Sequence, residues 1–304
     1  MNSELMKPVY TIMFVFSMVL TLAAVVMFFV FGLNFGVDFK GGSILEVEFS
    51  EARPGVAEVS SVLEGALISY DFNINQAGDN SLVIRTTEMA EETHQALLAA
   101  LRNSYSDQEV QERSFDSVGP IIGRELESKS KTAIVVALLA IIVYIAFVFR
   151  KISVVLSSWT MSIAAMVALF HDVIIPIGVF SVLGHFYGVE ISAVFVAALL
   201  TILGYSIADT VVIFDRVREN VIRNRLRDNF GQVVHKSIIQ TLARSLNTTF
   251  TTLLSLIAIF IFGGDSLRYF SLAMIIGIFL GAYSSIFVAS PIMVWWSNWT
   301  KSRR

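Results

Sequence analysis

Asp209 stands inside an apolar run that begins at Ile191 and meets its next charge only at Asp215. A carboxylate in such a run marks an ion pathway, a proton-exchanging site or a buried pair. Arg244 stands on the next helix, immediately before its apolar run and eight residues after Lys236. At the helical rise, Asp209 lies about 9 Å from Asp215, and Arg244 about 12 Å from Lys236 on a helix of opposite direction. The two charges are expected at similar depth, where pairing would offset the cost of burying each. Thr201, Tyr205 and Asp209 recur every four residues, with Ser206 adjacent, and so share one helix face. Arg244, Thr248, Thr251 and Ser255 form a similar stripe in the next run. Two facing polar stripes can hold water or a cation inside a bundle. His171 and Asp172, in the preceding run, are secondary candidates.

Each residue also has a plainer reading. Near a boundary, Arg244 can snorkel to the interface. Asp209 can stay charged as a structural partner, and His171–Asp172 can be a satisfied internal pair. The basic stretch RVRENVIRNRLRDNF reads most simply as a solvated helix that sets topology.

The surrounding elements must be membrane spans. The 304 residues are 55% hydrophobic and only 15% charged, with a mean hydropathy of +0.69. Soluble domains carry about 25% charged residues. The net charge of −3 gives no reason to expect nucleic acid. Without cysteine there is no disulfide, thiol nucleophile or thiolate metal site, and the four histidines form no ligand-spaced cluster. No cofactor, metal or enzyme active site is expected. Runs long enough to span are Val9–Leu33, Thr132–Phe149, a long one within Ile152–Leu183, Ile191–Phe214, Ser245–Phe262 and Tyr269–Trp296. The first reads as an uncleaved anchor, being longer than a signal-peptide core. The third exceeds one straight span, so its start is expected at the interface and Pro176 is expected to kink it.

Basic residues set the orientation. Lys7, Arg150, Lys151, Arg216, Arg218, Arg223, Arg225, Arg227, Lys236, Arg244, Lys301, Arg303 and Arg304 fall on one side, whereas the short loops 184–190 and 263–268 on the other hold only Arg268. Both termini are expected in the cytoplasm. The expected organisation is residues 1–33 for the N-terminus and first span, an extracytoplasmic domain over 34–131, spans two to six over 132–296 with a cytoplasmic loop at about 215–240, and a tail over 297–304.

The extracytoplasmic region is long enough to fold alone. GSILEVEF reads as a strand, Val56–Tyr70 as a helix opened by Pro54 and Gly55, and FNINQ and SLVIRT as a hairpin around GDN. Glu91–Tyr105 reads as a second helix and Glu109–Val118 as a last strand. The β-α-β-β-α-β order is the ferredoxin-like split motif, which by itself says little about function. Gly36, Asp38, Gly41 and Gly42 sit where the chain leaves the membrane; a tight turn into the first strand is one reading of them. A ridge of Gly277, Gly281, Ser285 and Ala289 lets the sixth span pack closely.

These stretches resemble a known family. GVDFKGGS (36–43), HDVIIPIG (171–178), GYSIADTVVIFDRVREN (204–220), QTLARSLNTTFTTLLSL (240–256) and GIFLGAYSSIFVASP (277–291) together resemble the SecF family of protein translocase subunits, within the wider resistance-nodulation-division superfamily. The likeness runs through essentially the whole chain in order. It implies an α-helical integral membrane protein of the bacterial inner membrane, six transmembrane helices forming half of a resistance-nodulation-division-type bundle, plus one α+β ferredoxin-like domain outside. It implies pairing with SecD, action on the SecYEG channel and a translocating preprotein, contact with YajC and YidC, and drive from a transported coupling cation, a proton or sodium. By motif, Asp209 is similar to the family's titrating carboxylate and Arg244 to its basic partner; Gly36, Asp38, Gly41 and Gly42 match the family motif at the start of the outside domain. A half-transporter of the same superfamily, exporting a small molecule or lipid, is the other expectation, and a purely structural subunit a third.

Overall fold

The computed structural model describes residues 8–66, 71–149, 158–224 and 229–302. The expected start of the third span, at 152–157, and the basic residues Lys7, Arg150, Lys151, Arg225, Arg227, Arg303 and Arg304 lie outside the described residues. The chain divides into two compact units, residues 1–34 with 132–304, and residues 35–131.

The smaller unit opens with a four-residue helical turn, α2 (Val37–Lys40), following the first membrane helix α1 (Pro8–Phe31). It continues as β1 (Gly42–Phe49), α3 (Val56–Ala66), β2 (Phe72–Ala77), β3 (Ser81–Thr86), α4 (Glu91–Ser104) and β4 (Val110–Val118). All strands pair antiparallel in the order β2-β3-β1-β4, which is the expected split β-α-β-β-α-β sheet. The last residues of the helix expected over Val56–Tyr70, 67–70, lie outside the described residues. Alternation along β1 sends Leu45, Val47 and Phe49 inward, where they meet Leu63 of α3 and Leu97, Leu98 and Leu101 of α4 in a fully buried cluster. Those leucines recur at three- and four-residue spacing, which keeps one stripe of α4 on the sheet.

The Gly41–Gly42 pair is required by geometry. Gly41 has φ 80° and Gly42 φ 132°, in a region disfavoured for side chains. A Cβ on Gly42 would stand 2.6 Å from the Thr86 carbonyl, and one on Gly41 2.8 Å from Pro120 Cα. Gly123 completes the contact, since its own Cβ would meet the Phe39 carbonyl at 2.8 Å. The pair is thus the turn into β1 and also a place where backbones pass without side chains between them.

Among the described residues, six helices are long and apolar enough to cross a membrane. After α1 these are α5 (Pro120–Val148), α6 (Ser158–Tyr187), α7 (Ala193–Asn224), α8 (Phe230–Phe262) and a last span built from α9 (Asp265–Ser284), a π-helical turn (Ser285–Ala289) and α10 (Ser290–Ser302). Two outcomes differ from expectation. Helix α5 begins at Pro120, well before Thr132, so the charged segment RELESKSK is its first turns. The expected loop at 215–240 is largely helix: α7 runs on to Asn224 and α8 starts at Phe230. The reason is packing. Val217, Val221, Phe230, Val233, Val234 and Ile238 bury themselves together, and Asn220 Nδ2 donates to Ser237 Oγ and Gln240 Oε1, both at 2.8 Å. Polar residues on the other face had disguised this stripe as a solvated connection.

Helices α7 and α9 interlock through the small-residue ridge. A Cβ on Gly277 would stand 2.3 Å from Ile202 Cδ1, one on Gly281 would stand 3.1 Å from Ser206 Cβ, and Ser285 Oγ lies 2.8 Å from Thr210 Oγ1. The matched steps of four on both helices mean that they run in the same direction, with ridge against ridge.

Gly281→Leu is expected to force α7 and α9 apart and to cost at least the ~1–3 kcal/mol typical of overpacking. A lowered unfolding temperature of the purified protein in detergent would register it, and an unchanged one would contradict the ridge assignment.

Leu97→Ala in the smaller unit, at a side chain with no exposure, is expected to cost ~2–5 kcal/mol, read as faster limited proteolysis within residues 35–131.

Candidate functional site

The polar centre of the bundle is built around Asp172, not around an Asp209–Arg244 pair. His171 and Asp172, on α6, are both fully buried. Asp172 Oδ2 accepts from Ser206 Oγ of α7 at 2.5 Å and from Ser284 Oγ of α9 at 2.7 Å. Asp172 Oδ1 lies 2.8 Å from His171 Nδ1. One carboxylate therefore ties three helices together. The His171 ring lies nearly parallel to that of Tyr283, 20° between planes and 6.2 Å between centroids, and the Tyr283 hydroxyl donates to the Met13 carbonyl of α1 at 2.7 Å.

Pro176 adds to this centre. It lies within α6 and has no amide hydrogen, so the carbonyl of Asp172, four residues earlier, has no helix amide to accept from. Pro176 thus costs α6 one backbone donor beside the polar cluster.

Asp209 sits one turn along α7 from Ser206, 8% exposed. Its Oδ2 is buried without a hydrogen-bond partner. Ser245 of α8 and Ser285 of the π-helical turn stand beside the carboxyl, and the Asp172 charge is within electrostatic reach. Ser245 Oγ and Thr249 Oγ1, both buried on α8, also lack partners. Orphaned buried oxygens are rare in a folded protein and need an explanation. Three of them, on two facing helices and including a carboxylate, form a group able to take up a proton or a small cation.

Arg244 is placed elsewhere. It is exposed, on the outer face of α8, and no ion pair of its side chain is found among the described residues. Thr248 is exposed beside it and donates back to the Arg244 and Ser245 carbonyls at 3.0 Å. Thr201 is likewise exposed and donates to the Ala197 carbonyl at 2.8 Å, away from Asp209. Tyr205 is half-buried, its hydroxyl 3.5 Å from Thr252 Oγ1. The expected stripes are therefore corrected by rotation. A step of one residue turns a helix face by 100°, and the inward stripe on α8 is Ser237, Thr241, Ser245 and Thr249, one position beyond Arg244 and Thr248. On α7 the inward set is Ser206, Asp209 and Thr210. Of the expected site residues, Asp209, Ser206, His171 and Asp172 come together, while Arg244, Thr248 and Thr201 do not. Ser284, Ser285, Thr210, Ser245 and Thr249 were missed; the four-residue repeat on α8 was available as a signal but has two candidate phases.

The π-helical turn follows directly. Ser290 Oγ donates to the Ser285 carbonyl, five residues back, at 2.8 Å, and Ser284 and Ser285 share the Gly281 carbonyl. Such turns are common at functional sites because the extra residue re-aims its neighbours. Here it lies where Ser284 reaches Asp172 and Ser285 faces Thr210.

Comparison with known proteins finds relatives along almost the whole chain. The C-terminal domain model of the protein export membrane proteins SecD and SecF matches residues 98–299, and the SecD/SecF GG motif model matches 26–52, which includes Gly41–Gly42. The protein translocase subunit SecF of Thermobaculum terrenum is 39% identical over 94% of this chain and 91% of its own length. That of Anaerolinea thermophila is 37% identical over 95% and 94%. The chain belongs to the SecF family. Its fold is similar to a Thermus SecDF crystal structure at 34% identity and a TM-score of 0.79, and to SecDF in a super-membrane-facing form at 0.66. In both cases 95% of this chain matches 38% of the longer SecDF chain. Proteins of this family are export membrane proteins, not enzymes.

Asp172→Ala removes the acceptor of three buried donors and is expected to destabilise the bundle by ~3–5 kcal/mol, whereas Asp172→Asn, which keeps one carbonyl oxygen, is expected to cost less. Thermal unfolding in detergent compares the two, and equal losses would contradict the hub.

Proposed function

We propose that this chain is one half of an ion-gradient-driven accessory unit of protein export, pairing with a SecD-type subunit and assisting preprotein passage through the SecYEG channel of the bacterial inner membrane, with both termini cytoplasmic. The observation that carries the reading is Asp209 Oδ2, a buried and unpartnered carboxylate oxygen inside a membrane helix. A group in that state is stable bare only with a cation beside it and stable alone only with a proton on it. Alternate loading and release would change the charge at the junction of α7, α8 and the π-helical turn, and so favour one packing of those helices over another. One charge crossing 100 mV supplies about 2.3 kcal/mol, enough to bias a two-state element by nearly fiftyfold.

The outward face of α8 supports the partner. Arg244, Asn247, Thr248, Thr251 and Ser255 are exposed along an apolar helix. Thr248, Thr251 and Ser255 donate to carbonyls of their own helix, but lipid cannot satisfy Arg244 and Asn247; a second helical half can, and a carboxylate on that half is the natural counter-charge for Arg244. This chain matches 38% of the SecDF chain, leaving room in that longer protein for such a half. YajC and YidC remain proposed neighbours on the family likeness alone.

Asp209→Asn is expected to abolish the gradient-dependent part of preprotein export in inverted vesicles while copurification with the SecD-type subunit persists; export that keeps its full response to the gradient would overturn the assignment. Arg244→Ala is expected to leave this chain's own unfolding within ~0.5 kcal/mol of the parent, as for surface positions, yet to weaken copurification with that subunit. A drop in stability with unchanged partner binding would place Arg244 inside this bundle instead.

A further inference from the structure

The ion-coupling reading assigns no task to His171. This residue has no exposure, its Nδ1 lies 2.8 Å from Asp172 Oδ1, and its Nε2 is buried without a partner. Asp172 is in the opposite condition, engaged by Ser206, Ser284 and His171 together. Asp172 and Asp209 are the only buried carboxylates among the described residues, and no lysine or arginine is buried among them.

We propose that His171 and Asp172 form a second proton-holding station, which shares a single proton with Asp209. The inference rests on the reading of Asp209 as an exchanging carboxyl. The chemistry is as follows. The Nε2 lone pair of neutral His171 takes a proton and forms an N–H bond. The resulting imidazolium keeps Nδ1–H directed at Asp172 Oδ1, so its positive charge is compensated by a carboxylate already held by two hydroxyls. With His171 neutral and both carboxylates bare, the cluster carries two negative charges and no buried positive charge, the arrangement most costly in a low-dielectric interior. With one proton, on either His171 or Asp209, a single negative charge remains. The proton's two positions differ in where that charge sits: at Asp209 when His171 holds it, and at Asp172 when Asp209 holds it. Interacting sites of this kind titrate as a unit.

The groups that face His171 are few. Helix α9 contributes Tyr283, stacked on the ring with its hydroxyl engaged with the Met13 carbonyl of α1; through Asp172 the pair also meets Ser206 of α7 and Ser284 of α9, and Asp209, one turn along α7, lies within electrostatic reach of Asp172. The π-helical turn adds Ser285, paired with Thr210. Arg244 on α8 faces outward, and α10 brings no charged side chain to the buried set among the described residues. Asp209 is thus the titratable carboxylate outside the pair that His171 must answer to.

The test reads the imidazole directly. The chain has four histidines, so ¹⁵N spectra of the complete complex in lipid can be assigned by the signal lost in H171N. Where that variant does not assemble, H94N, H185N and H235N assign the remaining signal by elimination. In the parent complex the His171 Nε2 signal is expected to move between neutral and protonated positions as pH falls. In D209N, which fixes the second station neutral, the midpoint is expected about tenfold further toward acid, since stations that share a proton interact by more than about one pK unit. A His171 signal that never titrates, or one with the same midpoint in D209N, overturns the proposal. The reading of Asp209 stands or falls separately, on whether D209N export still responds to the gradient.

Discussion

A carboxylate in the middle of an apolar bundle must receive from the protein what water would have given it, and the arrangement around Asp172 follows from that demand. Two serine hydroxyls and one imidazole nitrogen supply its partners. They come from α7, α9 and α6, so the requirement for full satisfaction becomes a requirement for registry among three helices. The close approach that lets Ser206 and Ser284 reach one oxygen depends in turn on Gly281, where any side chain would meet Ser206. Packing and polarity are therefore one constraint: the ridge exists so that short side chains can reach the acid, and the acid holds the ridge in register.

Against that satisfied carboxylate stands the unsatisfied one. Asp209, on α7, shares the same interior, yet its Oδ2 has no partner at hydrogen-bond distance although Ser245 and Ser285 stand beside the carboxyl, and Ser245 and Thr249 on α8 are also without partners. A structure that can fully engage one buried acid leaves another open at a definite place. Two backbone discontinuities flank these acids: Pro176 strips the Asp172 carbonyl of its helix donor, and the π-helical turn beside Asp209 shifts the phase of the last span between Ser285 and Ala289. Helices interrupted at such points have more than one local way to satisfy their backbones, which is the property a charge-dependent switch requires.

Much of this was legible in the residues alone. The six apolar runs, the β-α-β-β-α-β order and the oddity of Asp209 follow from periods and lengths that no tertiary detail can change. The phase of a polar stripe does not. Arg244–Thr248 and Ser245–Thr249 are equally good four-residue repeats, and only the position of α7 and α9 decides which one faces inward. The connection between α7 and α8 was hidden for a related reason: its buried valines and isoleucine alternate with arginines that solvate the other face, and charge density there masks the periodicity. Asp172 was visible as a charge in a span but not as a hub, because its serine partners are distant in sequence and serine is unremarkable in a membrane helix.

The outward position of Arg244 gives the remaining step. A guanidinium on an apolar helix surface, with Asn247, Thr248, Thr251 and Ser255 along the same side, is costly facing lipid and inexpensive facing another protein's acid. The bundle keeps its own acids on the inside, where serines and a histidine serve them, and turns its base outward. The charges within this chain therefore stand apart, and on the proposed reading a second half supplies the balance. The separation also divides labour along α8. One face carries Ser245 and Thr249 toward Asp209, and the face about 100° away carries Arg244 toward the neighbour. A small rotation of that single helix would change both environments together, so under the proposed function a charge exchanged at Asp209 and a partner contact at Arg244 would be joined mechanically through the helix that lies between them.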